Sequence, residues 1–206
     1  MTAGGGRALT LHSFRKEDTM TGYRPFVVIG LMLMTLSGCT SAATVQEEQQ
    51  YLRTIARDRI ITTTIFKSLI ADRLTAKLNI TPRCYDGRAY LVGIYEREEE
   101  KARVLEIART VEGVRSVDAY LVPSTGDAAA EPCSTEEDLR LSGVVKSRFK
   151  EDLKHIKTSR MDVISVQCVV VLVGIVRTEQ EIDAILETAR STAGVRDVVS
   201  YLTPLE

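Results

Sequence analysis

Leu91-Val92-Gly93-Ile94 returns as Leu172-Val173-Gly174-Ile175, and the match extends outward from these residues at a constant offset. Ala108-Arg109 recurs as Ala189-Arg190, Gly113-Val114-Arg115 as Gly194-Val195-Arg196, and Tyr120-Leu121 as Tyr201-Leu202. About half the positions of residues 91–123 agree with residues 172–204, far beyond chance for so short a window. Upstream, Asp58, Ile65 and Leu69 align with Asp138, Val145 and Phe149 once a single-residue gap is allowed. The chain contains one module twice.

Periodicity gives that module its elements. Ile61, Ile65 and Leu69 recur every fourth residue and predict a helix over about 52–76, weakened locally by the β-branched run Thr62-Thr63-Thr64. Residues 80–85 and 89–95 read as strands joined at Asp86-Gly87, a dipeptide suited to the positive φ of a tight hairpin. Residues 98–111 form a second helix, with Val104, Leu105 and Ala108 on its buried side and Gly113 able to supply a left-handed cap. Val117, Ala119 and Leu121 alternate in a last strand. The order is α-β-β-α-β, and a helix between the last two strands makes them a parallel crossover. In the second module the helices are expected at about 135–155 and 178–192, and the strands at 161–167, 169–176 and 196–203. The fold class is α+β: two tandem modules, each a three-stranded mixed sheet backed by two helices. Pro123 and Pro132 bracket a small, polar linker.

Ahead of the modules, Leu36-Ser37-Gly38-Cys39 closes an apolar run over residues 26–36. That run suits a signal-peptide core and is well short of the roughly 20 residues a spanning helix needs. The pattern resembles the bacterial lipobox, which implies diacylglycerol on the thiol of Cys39, cleavage before it, and a further acyl chain such as palmitate on the new amine. Thr40, in place of Asp, implies sorting to the periplasmic face of the outer membrane, where the protein would be lipid-anchored. Translation is expected to start at Met20, because Lys16-Glu17-Asp18 can be back-translated as a purine-rich ribosome-binding sequence. The expected organisation is an extension over 1–19, a signal peptide over 20–38, a lipidated tether over 39–51, module one over 52–123, a linker over 124–134 and module two over 135–206.

Composition excludes several functions. The chain's net charge is −1, and about −3 after Cys39 becomes the first residue, so it lacks the basic signature of a nucleic-acid binder. Beyond Cys39 one histidine remains, His155, with no nucleophile and orienting acid in pattern around it, which argues against an enzyme. Glu98-Glu99-Glu100 opens a helix, where acids complement the positive end of its dipole, and is not read as a metal site. Cys84, Cys133 and Cys168 have no CxxC spacing and no paired histidines, so no zinc site is expected. They admit at most one disulfide. A Cys84–Cys133 bridge would tie the linker back onto module one and limit how the modules swing; three free thiols are the competing outcome.

The module resembles the BON domain of bacterial osmotically inducible and nodulation proteins: an Asp, a helix with spaced aliphatics, a hairpin ending Leu-x-Gly, and a helix ending Gly-Val-x-x-Val. Module one carries the pattern as Asp58, Ile65, Leu69, Leu91-Val92-Gly93 and Gly113-Val114-Arg115-Ser116-Val117. Module two carries it as Asp138, Val145, Phe149, Leu172-Val173-Gly174 and Gly194-Val195-Arg196-Asp197-Val198. Two such modules behind a lipobox most resemble the dual-BON outer-membrane lipoproteins. That resemblance implies no cofactor beyond the acyl groups on Cys39, binding of anionic phospholipid by the second module, and a role in envelope integrity. Two departures stand out. Gln167-Cys168 occupies the place of Asp86-Gly87, so the second turn's type or register is in question, and Trp is absent, so no aromatic lipid contact carries over.

Lys146, Lys150, Lys154 and Lys157 fall at helical spacing on one stripe of the first helix of module two, with Arg148 and Arg160 nearby and Glu151 and Asp152 interrupting. Together with Arg160 they are the candidate contacts for anionic lipid, each basic group near a bilayer being worth about 1 kcal/mol. In module one Arg57, Arg59, Lys67 and Arg73 are interspersed with acids and predict a poorer surface. Two functional readings follow: a lipid-anchored, anionic-phospholipid-binding envelope protein, or an adaptor that docks an envelope assembly complex through sheet edges or apolar helix faces.

Overall fold

The computed structural model describes residues 40–124 and 133–205, with side chains from residue 49 onward. Cys39, Met20, the signal segment and linker positions 125–132 lie outside the described residues. In chain order the elements are α1 (Thr40–Ala71), β1 (Ile80–Tyr85), β2 (Arg88–Tyr95), α2 (Glu98–Thr110), β3 (Ser116–Pro123), α3 (Thr135–Asp152), β4 (Met161–Val166), β5 (Val169–Val176), α4 (Glu179–Arg190) and β6 (Asp197–Pro204). The tandem α-β-β-α-β order and the mixed three-stranded sheets are as the repeat predicts. β2 lies at the centre of the first sheet, antiparallel to β1 and parallel to β3, and β5 takes the same place between β4 and β6.

The repeated Leu-Val-Gly has a steric cause. Gly93 pairs with Ile80 at the very start of β1, where a Cβ would run into the carbonyl oxygen of Asn79. Gly174 pairs with Met161 in the same way, and there the obstructing carbonyl is that of Arg160, which also accepts a hydrogen bond from the Ile175 amide at 2.9 Å. Only glycine lets the two backbones pass this closely.

Each sheet buries one face under its own helices. Ile61, Ile65 and Leu69 of α1 join Val104, Ile107 and Ala108 of α2 over Ala89 and Leu91. Leu141, Val145 and Phe149 of α3 join Ile182, Ile185 and Ala189 of α4 over Val170 and Leu172. The opposite faces meet each other: Tyr90 and Val92 pack against Val166, Val171 and Val173, and the Tyr90 and Tyr201 rings lie 5.8 Å apart. The result is four layers, helices–sheet–sheet–helices. β2 and β5 are therefore covered on both sides, which is why they read as nearly continuous apolar runs instead of alternating ones. All ten of these elements' sheet pairs and cores fall within Glu48–Glu206, one compact unit. The sheet-on-sheet packing fixes one module on the other.

Helix lengths depart from expectation at three points. α1 begins upstream of the predicted helix and ends earlier, at Ala71, where the Asp72 carboxylate accepts the Leu74 amide at 3.0 Å and the Thr75 hydroxyl donates to the Leu69 carbonyl at 2.7 Å. The threonine run does not interrupt it, since Thr63 donates to the Arg59 carbonyl one turn back at 2.8 Å. α3 stops at Asp152 instead of 155, because buried Leu153 and Ile156 turn the chain toward β4.

Candidate functional site

Asp58 and Asp138, the acids at the head of each repeat, are buried and face the hairpin turns. Asp58 accepts the Asp86 amide at 2.7 Å and the Gly87 amide at 2.9 Å, and Asp138 accepts the Gln167 and Cys168 amides, each at 2.8 Å. Both turn residues have positive φ in both modules: 49° and 73° at Asp86 and Gly87, 52° and 60° at Gln167 and Cys168. The question over the second turn is thus answered. It has the same two-residue geometry without glycine, and a carboxylate bonded to two backbone amides holds it there. Each carboxylate also takes one side-chain donor from the preceding strand: the Cys84 thiol at 3.4 Å in module one and the Ser165 hydroxyl at 2.8 Å in module two. These aspartates have a structural role.

The cysteine expectation requires correction. The disulfide joins Cys133 to Cys168, with Cα atoms 5.7 Å apart, and not Cys84 to Cys133. Cys133 immediately precedes Ser134, the N-cap of α3, so the bridge ties the start of that helix to the left-handed turn that Asp138 clasps. Cys84 is a buried free thiol. Burial, followed by the charge of Asp58, pushes it up to about 12, which keeps it protonated and unreactive.

The lysine stripe is only partly helical. Lys146 and Lys150 stand exposed on α3, while Lys154 and Lys157 lie exposed in the segment after it, beyond the C-cap Leu153. None of the four makes an ion pair among the described residues, and Arg148 engages the nearby Asp152 at 2.9 Å. Arg160 does not belong with them. Its guanidinium lies over the Tyr51 ring of α1, 5.0 Å from the centroid, beside a cleft of about 440 Å³ between the modules. There Asp162 accepts Arg83 Nε at 2.7 Å and the Tyr85 hydroxyl at 2.8 Å. Burial, then the Asp162 charge, holds the Tyr85 hydroxyl well above the usual phenol range. These groups satisfy one another across the module boundary and are read as structural.

The acids interspersed along the first helix of module one predict a poorer surface there. In the structure those acids are withdrawn from it: Asp58 lies under the hairpin and Asp72 accepts Arg103 Nε at 2.8 Å. What α1 and the turn after it show outward is Leu52, Ile60, Phe66, Ile70 and Leu74, all at least 41% exposed. Among the described residues no group of acids, histidines and cysteines could hold a metal ion, and no helix is long and apolar enough to cross a membrane.

The BON domain profile matches residues 57–122 and 137–203. The chain belongs to the BON-domain family. BON proteins are associated with phospholipid binding and the cell envelope and are generally non-enzymatic. The repeat, the carboxylate-clasped turns and the two Leu-Val-Gly strands are thus tandem BON domains. No curated protein matches the chain. Two solved structures of CdsD, a structural protein of the Type III secretion system of Chlamydia trachomatis, align with it at low similarity. Its C-terminal domain shares 12% identity over 72% of this chain and 67% of that one, with a TM-score of 0.29. The second shares 13% identity over 72% of this chain and 65% of that one, with a TM-score of 0.28.

Proposed function

We propose that this BON protein is a non-enzymatic envelope lipoprotein, held at the periplasmic face of the outer membrane by acylated Cys39. It binds anionic phospholipid through its second module and so supports outer-membrane integrity. The observation that carries this reading is the group of unpaired ammonium groups at the end of α3, Lys146, Lys150, Lys154 and Lys157, set beside the buried Phe149, Leu153 and Ile156 that fix their backbone. Such a group favours an anionic surface, weakens as salt screens it, and needs no pocket. Arg160 is not part of this surface.

Residues 48–206 contain every strand, apolar cluster and disulfide found among the described residues. This fragment should cosediment with vesicles of phosphatidylcholine and phosphatidylglycerol and not with phosphatidylcholine alone. Changing all four lysines to Gln should reduce binding at least tenfold at low salt. Retention of full binding by that variant would remove the second module from the mechanism. Loss of all vesicle binding by the unaltered fragment would leave the acyl anchor as the membrane contact and favour the adaptor.

A further inference from the structure

We infer that the outward face of α1 is a second membrane-contacting surface, one that inserts apolar side chains among anionic phospholipids. Leu52 and Ile70 are separated by five full turns and so lie at the same azimuth, with Ile60 and Phe66 to either side, within an arc of about 120°. Their exposures are 56%, 53%, 66% and 48%, and Leu74 continues the patch past the helix end. A helix in a folded domain ordinarily turns its large apolar groups inward; α1 does so with Ile61, Ile65 and Leu69 and carries a second apolar stripe on its other side.

Charge selects the occupant. Arg59 and Lys67 lie within that arc, Arg53 at its rim, Arg57 further round the helix, and Arg73 and Lys77 just beyond its end. None of the six makes an ion pair among the described residues. The acids between residues 49 and 79 are Asp58 and Asp72, one buried beneath a turn and the other held by Arg103. Apolar groups framed by unpaired cations are the composition of a helix lying in the plane of an anionic bilayer. A second copy of this face would set like charges against each other, which disfavours self-association. The helix itself runs back to Thr40, the residue after Cys39.

This inference is independent of the lysines of module two. In the four-layer arrangement α1 and α3 are in opposite outer layers, so one bilayer cannot accept both flat. The chain has no tryptophan, and a single introduced one reports from its own face. In residues 48–206, the Phe66→Trp variant should show a blue-shifted emission on adding phosphatidylglycerol-containing vesicles and strong quenching when those lipids carry brominated chains. A Leu139→Trp variant, on the exposed side of α3, should stay unquenched. In a background with Lys146, Lys150, Lys154 and Lys157 changed to Gln, Leu52→Ser with Ile70→Ser should cut the remaining vesicle binding at least tenfold while leaving the melting temperature near that of the same background. Quenching at Phe66→Trp supports the inference whatever Leu139→Trp does. Quenching at Leu139→Trp alone overturns it and leaves the module-two reading standing. Absence of quenching at both overturns the insertion of α1 and leaves the module-two reading to its lysine test, whereas concentration-dependent dimerisation that the serine pair abolishes, without any vesicle binding, overturns both surfaces.

Discussion

The two hairpin turns share one backbone shape and reach it from different sequences. In module one Asp86-Gly87 has the residues that a turn with two positive φ angles favours, and Asp58 contributes two hydrogen bonds to a conformation local chemistry already prefers. In module two neither Gln167 nor Cys168 prefers the left-handed region, and the shape depends on Asp138 and on the bridge to Cys133. One turn is specified locally and the other by long-range contacts. The helix starts differ in the same way. α1 runs on upstream of Asp58 to Thr40, whereas α3 is stopped at Thr135 by the reciprocal Ser134–Glu137 capping box and by the disulfide one residue earlier.

The largest test of this difference is removal of the bridge. Cysteines 35 residues apart in sequence close a loop worth about 3–4 kcal/mol in the chain-entropy account. Cys133→Ser should lower the stability of residues 48–206 by about that amount in urea unfolding, and protease cleavage of the native protein should begin near the β4–β5 turn, not the β1–β2 turn. Peptide mapping of the parent should find Cys133 linked to Cys168, with Cys84 alkylated only after denaturation. Cleavage first at the β1–β2 turn would show that the glycine-containing turn is the weaker one.

A smaller effect separates the two carboxylates. Replacing a buried acceptor of charge-assisted hydrogen bonds leaves its donors unpaired and costs about 1.5–3 kcal/mol. Asp138→Asn should fall at the upper end of that range and Asp58→Asn at the lower, because Gly87 tolerates the turn without help and Cys168 does not. Equal losses, measured by urea unfolding under oxidising conditions, would mean that the bridge already supplies what Cys168 lacks beside glycine.

What the sequence disclosed tracks how local each cause is. The repeat, the strands, the Asp86-Gly87 turn and the helix faces rest on short-range chemistry and are legible from spacing alone. The Cys133–Cys168 pairing is not, since it needs the linker's end and a turn in the other half of module two to meet in space. Lys154 and Lys157 extend the helical spacing of Lys146 and Lys150, yet the backbone leaves the helix at Asp152, so residue spacing alone overstated the stripe. On α1 the acids counted against a cationic surface are spent inside the fold, which no count of residues along the chain reveals. The sheet-on-sheet contact did leave a trace in the unbroken apolar runs of β2 and β5, strands that would alternate if one face met water.

The smallest change makes one module imitate the other. Cys84 occupies in module one the position that Ser165 occupies in module two, each donating to the clasping aspartate. Cys84→Ser replaces a weak S–H donor with a stronger O–H of similar size, so its effect near pH 7 should stay under about 1 kcal/mol. At high pH the two forms should part. In the folded protein the thiol is raised to about 12 from an ordinary 9.0, by burial and then by the Asp58 charge. Between those values the unfolded chain loses its proton and the folded one keeps it, so the folded state binds more protons and stability falls as pH rises. That share of stability is intact below pH 9 and is lost on the way to 12. Unfolding in urea at pH 8 and pH 10.5 should therefore show a decline in the parent protein that Cys84→Ser reduces, while Cys133→Ser, whose partner lies in the other turn, leaves that decline in place. An undiminished decline in Cys84→Ser would assign it to other groups and would mean that the thiol of module one is no more tightly held by its aspartate than by solvent.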